Sequence, residues 1–270
     1  MNSASLRLVT WNVNSIRIRM GLLKVLIEKY QPDIICLQEV KAKEEDFPFE
    51  EIKSLGFLYI ALYGIAGYNG VAILSKKPLQ NIEKKDWVSK SDARHIKADF
   101  AGIEINNIYI PAGGEVPDPI ENLSFAHKLC FMDDMSEYYE QNQTKFKDKK
   151  VLFCGDFNVA PLECDVWNHK KMQNIISHTP IEIERLTRFY KSLNFIDATR
   201  KIFDNNEQIF SWWSYRNPNW QTNNKGRRLD HIWITPNMEN QIKDIKILTE
   251  FRSMERPSDH VPVMIDLALN

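Results

Sequence analysis

No apolar run in this sequence approaches the roughly 20 residues needed to cross a bilayer as a helix, so no membrane-spanning helix is expected. Met1 to Ser5 offer neither the basic start nor the apolar stretch of a secretory signal, and the cytoplasm is the expected location. Cysteine is scarce. The four present (Cys36, Cys130, Cys154 and Cys164) form no CxxC, and cysteines and histidines do not fall at zinc-ligand spacing. Cys36 and Cys154 lie inside apolar runs and read as buried reduced thiols. There is no Pro/Gly/Ser-rich linker, internal repeat or low-complexity tract, so one domain over residues 1–270 is expected. Neither sign of charge dominates: 35 basic against 36 acidic residues leave a net charge of −1. A globally basic nucleic-acid binder is thereby disfavoured, although a local basic face is not.

What the chain does have is apolar periodicity. Hydrophobic residues make up 43% of it, enough for the core of a large α/β domain. Leu6 to Val13 alternates as a strand, with Leu6, Leu8 and Thr10 set against Arg7, Val9 and Trp11. Leu22, Leu23, Leu26, Ile27 and Tyr30 recur at helical spacing until Pro32-Asp33 stops them. Ile34–Leu37 and Val151–Cys154 read as short, fully apolar buried strands, and Gly70–Leu74 and Ile96–Ile110 as further strands, with a turn at Gly102. Phe125–Tyr139 and Ile183–Leu193 are amphipathic helices, and Arg228–Ile234 and Val261–Leu269 close the chain as strands. Hairpin-like pairs among interleaved helices do not suit a simple βαβ repeat. They suit two packed mixed sheets with helices outside. Asp204 to Arg228, rich in Asn, Trp and basic residues, reads as a long surface loop of the kind that usually serves function.

Polar groups sit at the ends of the apolar runs. Asp156 and Asn158 follow Val151–Cys154; on a continuing strand both would face one way, a carboxylate to orient or deprotonate water and an amide to steady a phosphoryl oxygen. A strand-ending turn fits the same residues. Glu39 ends Ile-Ile-Cys-Leu-Gln, where a carboxylate needs either a metal or a cation such as Lys41. His260 has two candidate orienting carboxylates, Asp259 and Asp230. Tyr109 precedes Pro111 and a Gly-Gly turn and reads as a rim aromatic or a phosphate donor. Phe210, Trp212, Trp213, Tyr215 and Trp220 crowd one loop with Arg216, Lys225, Arg227 and Arg228, which suits stacking on bases or sugars, although part of the cluster must cover the core. Arg17, Arg19, Arg94 and Lys97 could extend the basic face.

As a set, WNVNSIR, LQEVK, NIYIPAGG, GDFNVAP, FSWW…YR, GRRLDHI and PSDHVPV resemble the exonuclease III family of AP endonucleases, within the endonuclease/exonuclease/phosphatase superfamily that includes deoxyribonuclease I. The resemblance runs from Leu6 to Leu267. It implies a four-layer α/β sandwich, with two packed mixed β-sheets flanked by helices, and a Mg²⁺-dependent DNA repair phosphodiesterase. The implied enzyme, a monomer, incises double-stranded DNA 5′ to abasic sites and removes nucleotides or blocking groups from recessed 3′ ends by water attack. Glu39 would be the principal Mg²⁺ ligand (Mn²⁺ could substitute), helped by Asn12, Asn14 or Asp259. Asp156 would activate water or protonate the leaving oxygen, Asn158 and Tyr109 would steady phosphoryl oxygens, and Asp230 would orient His260 on the phosphate. Trp212 would wall the pocket for a base-free sugar, with Arg94, Arg216 and Arg228 on the DNA. Asn14 departs from an aspartate found in some members, Ala112 from a phosphate-binding amide, Glu115 from an arginine and Arg227 from an apolar pocket wall. Two other readings compete: a phosphodiesterase for RNA, phosphoinositide or lipid, which leaves the Trp-rich loop unexplained, and a non-catalytic nucleic-acid-binding regulator, which does not expect every catalytic position to be filled.

Overall fold

The computed structural model describes residues 5–269. Twelve strands follow in chain order: β1 (Ser5–Asn12), β2 (Ile34–Gln38), β3 (Tyr59–Tyr63), β4 (Val71–Ser75), β5 (Gln80–Lys85), β6 (His95–Phe100), β7 (Ile103–Tyr109), β8 (Lys150–Asp156), β9 (Ile196–Asp197), β10 (Asp230–Ile234), β11 (Ile242–Ile247) and β12 (Val263–Ala268). They form two six-stranded sheets, ordered β11-β12-β1-β2-β4-β3 and β5-β6-β7-β8-β10-β9. β1/β2 and β7/β8 pair in parallel and the other neighbours antiparallel, so both sheets are mixed.

The alternation along β1 decides its two faces. Leu6 and Leu8 enter the layer between the sheets, with Ile34, Ile73, Ile105, Leu152 and Ile232. Val9 and Trp11 point outward to Leu22, Leu23, Leu26 and Ile27 of the helix Ile16–Tyr30. That helix ends where Gln31 turns left-handed and its N–H returns to the Ile27 carbonyl, one residue before Pro32. The outer face of the second sheet is covered by the helices Leu123–Gln141 and Pro180–Ser192, which bury Phe125, Met132, Leu186 and Phe189 against Phe153 and Trp233. Asn122 caps the first of these helices, and a Thr179/Glu182 capping box with Pro180 starts the second. The result is the expected helix/sheet/sheet/helix sandwich. Among the described residues no helix is long and apolar enough to cross a membrane.

Four strands escape the sequence pattern: β3, β5, β9 and β11. All lie at sheet edges, where one row of neighbours is missing and the apolar alternation fades; in β5, Gln-Asn-Ile-Glu-Lys-Lys, all but the last residue are exposed. The expected strand from Arg228 begins only at Asp230, and the Arg228 side chain binds Asp165 and Asp197. The segment 204–228 is less of a free loop than its composition implies. Phe210 and Trp213 are core residues beside Trp11, Trp220–Asn223 forms a helical turn, and Trp212 makes single bridges to both Arg227 and His260.

Polar groups also run between the sheets. Gln38 Nε2 donates to Thr10 Oγ1 (2.9 Å) and to Asn107 Oδ1 (2.7 Å), while Asn107 Nδ2 donates to the carbonyls of Leu37 and Ala72. This network locks the parallel pair of one sheet to that of the other, just below the edge where both pairs end.

Two buried histidines make the fold acid-sensitive. Trp87 Nε1 can only donate, so the His95 Nδ1 it reaches must accept and His95 Nε2 carries the proton toward Asn106 Oδ1. Burial pulls His95 down to about 3 and His231 to about 4, from an ordinary value of 6.5. Both pKa values are depressed in the fold. Their contribution is therefore complete above pH 6.5 and is lost as pH falls through the folded values, at about 1.4 kcal/mol per pH unit for each histidine within that window. The share of stability carried by these two imidazoles, read as the difference in denaturant midpoint from a His95→Asn/His231→Asn variant, should accordingly fall between pH 6.5 and 4.5 and stay level from 7 to 8. A flat profile through pH 5 would mean that these imidazoles are not buried in neutral form.

Candidate active site

The C-terminal ends of the parallel strands and the starts of β10 and β12 meet at one edge. Strand register places Tyr109 beside Asp156 and Asp156 beside Asp230. The approach of β7 to β8 there admits only glycine: a Cβ at Gly155, φ +142°, would lie 1.9 Å from the Ile108 carbonyl oxygen. Past the strand ends the backbone turns left-handed at Asn14, Glu39 and Asn158 (φ +45°, +49° and +51°). Such conformations in non-glycine residues gather at functional sites.

One half of the site centres on Glu39. Its Oε1 accepts from Asn12 Nδ2 and from the Tyr109 hydroxyl, each at 2.9 Å, and its Oε2 lies 2.8 Å from Lys41 Nζ. Lys41 Nζ also donates to Asn14 Oδ1 at 2.6 Å. Asn14 Nδ2 donates to Asp259 Oδ1 at 3.2 Å, and Trp212 Nε1 to Asp259 Oδ2 at 3.0 Å. Burial disfavours the ionised Glu39, but the bonds from Asn12 and Lys41 outweigh it and hold the carboxyl below its ordinary range. For Tyr109, burial together with the charges of Glu39 and Asp156 pushes the phenol well up, so it stays protonated and can donate.

The other half is a chain of buried titratable groups. Asn12 Nδ2 bridges to it, donating to Asp156 Oδ2 at 2.9 Å. His260 turns Nε2 toward Asp156 Oδ2 (3.5 Å) and Nδ1 toward Asp230 Oδ2 (2.8 Å). Ser211 Oγ donates to the same Asp230 oxygen at 2.6 Å while accepting the N–H groups of Leu229 and Asp230, which fixes the carboxylate's orientation. Asp156, Asp230 and His260 are each at most 4% exposed. Burial raises the Asp156 carboxyl above its ordinary range, aided by Asp230 and Glu39 against the pull of His260. Burial opposes the His260 imidazolium, but the charges of Asp230 and Asp156 outweigh it and raise its pKa.

Asp156 and Asn158 combine both sequence readings. The strand does not continue; the chain turns, and Asn158 folds back so that its N–H and Nδ2 donate to the two Asp156 oxygens at 2.9 and 3.1 Å. Glu39, Tyr109, Asp156, Asn158, Trp212, Arg216, Asp259 and His260 line one cavity of about 480 Å³, together with Ala112, Glu115 and Arg227. Asn12 lies beneath it, Asn14 beside it and Asp230 behind His260. Arg94 stacks its guanidinium 4.7 Å from the Tyr109 ring centroid and pairs with Asp92, so it braces the tyrosine.

Arg228 is a correction. It is fully buried, forked onto Asp165 (2.6 and 2.9 Å) and Asp197 (2.8 Å), and cannot reach a substrate. Lys97, expected on the same basic face, is committed to Glu83 and Glu104. The sequence pattern also missed Ser211, Gln38 and Asn107. All three lie inside quoted motifs (FSWW, LQEVK and NIYIPAGG), but a serine before two tryptophans carries no signal of its own, and nothing local marks the two amides as inter-sheet struts.

Both halves carry oxygens that could hold a cation. Asp156, Asp230 and His260 lie close enough to form a metal-binding group, yet both ring nitrogens face carboxylate oxygens, a geometry that shares protons. Around Glu39 the occupant of the oxygen cluster is already a cation, the Lys41 ammonium, which shows that the donor set of Glu39 and Asn14 favours positive charge.

The model of the endonuclease/exonuclease/phosphatase family matches residues 9–260. Exodeoxyribonuclease III of Haemophilus influenzae is 30% identical over 96% of this chain and 98% of its own. Among solved structures, an AP endonuclease from Archaeoglobus fulgidus superposes with a TM-score of 0.88 at 30% identity, covering 96% of this chain and 98% of that one. A Neisseria 3′ phosphatase bound to a product DNA hairpin gives 0.88 at 27%, covering 97% and 99%. This chain belongs to the endonuclease/exonuclease/phosphatase family.

Proposed function

We propose that the protein is an exonuclease III-type DNA repair nuclease that uses Mg²⁺ to hydrolyse phosphodiesters 5′ to abasic sites and phosphoesters at recessed 3′ ends. The observation that carries this reading is the unbroken hydrogen-bonded chain Glu39–Asn12–Asp156, continued through His260 to Asp230, on the wall of one cavity. Family members are metal-dependent, and Glu39, with Asn14 and Asp259 beside it, supplies the oxygen donors that Mg²⁺ takes. When bound, the cation would neutralise charge on the phosphoryl group and the leaving oxygen. The remaining work falls to the side chains. Asp156 is the carboxylate placed to take a proton from the attacking water. The charged His260, held by Asp230, the Tyr109 phenol and the Asn158 amide line the cavity, and their protons, which rest on Asp156, Glu39 and the Asp156 and Ile110 oxygens, would turn to phosphoryl oxygens when substrate is bound. Water adds to phosphorus, the P–O3′ bond breaks, and the products are a 3′ hydroxyl and a 5′ phosphate.

The test is a duplex with a single abasic site, incubated with Mg²⁺ and with EDTA. Mg²⁺-dependent incision to a 3′ hydroxyl, with RNA and phosphoinositides left intact, is expected. Preferential hydrolysis of either control would overturn the DNA reading.

The arginines at the cavity separate surface from scaffold. Arg216 is exposed at the rim. Arg216→Ala should lower the log–log salt slope of DNA binding by about 0.9, the share of one phosphate contact, with no change in melting temperature. Arg228→Ala should instead destabilise the fold by roughly 3–5 kcal/mol, because it takes the cation from Asp197 and leaves the buried Asp165 with Arg200 alone. Salt-dependent binding and denaturant melts read the two effects.

A further inference from the structure

Arg227 and Arg228 are adjacent, yet their surroundings differ. Arg228 has two aspartates. Arg227 has none: Nη1 donates to the Ile176 carbonyl (3.0 Å) and to Ser177 Oγ (2.8 Å), and no carboxylate of the described residues lies within ion-pair distance. Its guanidinium lies over Trp212, 5.0 Å from the ring centroid, and lines the cavity that holds Asp156, Asn158 and His260. Burial pulls its pKa down to about 10, with only a weak counter-pull from Glu182. A half-buried cation without a counter-ion is unfavourable; in a substrate cavity the missing partner is an anion brought by the substrate. The guanidinium also covers a face of Trp212 against which a base-free sugar would otherwise rest.

A terminal phosphomonoester differs from an internal diester in one respect that matters here. The oxygen that would continue into the next sugar is free and carries an additional negative charge. A cation placed where that sugar would sit favours the monoester. Resting on the phosphoesterase reading above, we propose that Arg227 is a specificity residue, an anion subsite that directs this enzyme toward 3′ ends bearing a terminal phosphate and away from internal abasic sites. The reaction stays hydrolytic. Water oxygen bonds to phosphorus, the P–O3′ bond breaks, O3′ leaves with a proton, and a 3′ hydroxyl and inorganic phosphate result.

The experiment compares the full-length wild type with Arg227→Leu and Arg227→Gln, the latter keeping hydrogen-bonding capacity toward Ile176 and Ser177 without the charge. Two duplexes of one sequence are used, ending in a 3′ phosphate or carrying an internal abasic site. In wild type kcat/KM should favour the 3′ phosphate. Both variants should lose at least tenfold on it, mainly through KM, while abasic incision holds or rises. A fluorescence titration in EDTA supplies a second readout: wild type should bind the 3′-phosphate duplex at least fivefold tighter than its 3′-hydroxyl counterpart, and Arg227→Gln should erase the difference. Equal losses on both substrates, or a 3′-phosphate preference that survives in Arg227→Gln, would overturn the inference while leaving the nuclease assignment intact. A wild type that cleaves neither duplex with Mg²⁺ overturns the assignment, and the inference with it.

Discussion

Asp230→Asn and His260→Asn should each slow hydrolysis by about 10³-fold or more, the scale on which an oriented histidine loses function when its carboxylate is removed. His260 holds its charge because Asp230 lies 2.8 Å from Nδ1, and Ser211 keeps that carboxylate from rotating away. An asparagine at 230 keeps the shape but presents either a neutral oxygen or an N–H to the ring, so the imidazolium is no longer favoured. The double variant should be little slower than the poorer single, since residues acting as a unit are not additive. Single-turnover rates at saturating DNA provide the check. Multiplicative losses would mean that the two side chains act separately.

Glu39→Gln should reduce activity by about 10²-fold or more at limiting Mg²⁺ and recover part of it in excess Mg²⁺, as expected when an anionic ligand to a hard cation is removed. The geometry sharpens this. Glu39 is pinned from three sides, by Asn12, Tyr109 and Lys41. A glutamine would keep the two donors to its oxygen but would set an N–H against Lys41 or a cation. Mg²⁺ titrations followed by melting temperature separate binding from turnover. Normal cleavage at limiting Mg²⁺ would make Glu39 only a member of the Lys41 ion pair.

How far the sequence discloses such a site depends on burial. Leu6, Leu8, Val9 and Trp11 alternate because both faces of β1 are covered, and a central strand of this kind is legible from period alone. Glu39, Asp156 and Tyr109 are legible as polar ends of apolar runs, and the GDFN motif marks both a turn and a pocket because Asn158 serves both. The edge strand β5 leaves almost no pattern. Arginines are the hardest to place: Arg216, Arg227 and Arg228 share one short segment, yet one is exposed at the rim, one lies unpaired over Trp212 and one is sealed onto Asp165 and Asp197. Their partners lie tens of residues away, and only the fold brings those partners near.

The central claim is a division of labour: the cation belongs at Glu39, and the Asp156–His260–Asp230 chain handles protons. Crystals grown with Mn²⁺ and measured at its absorption edge test it directly. An anomalous peak bound to the Glu39 carboxylate, with Lys41 Nζ displaced from Oε2 and His260 Nδ1 still on Asp230, is the predicted result. A peak enclosed by Asp156, Asp230 and His260, with Glu39 still held by Lys41, would contradict it.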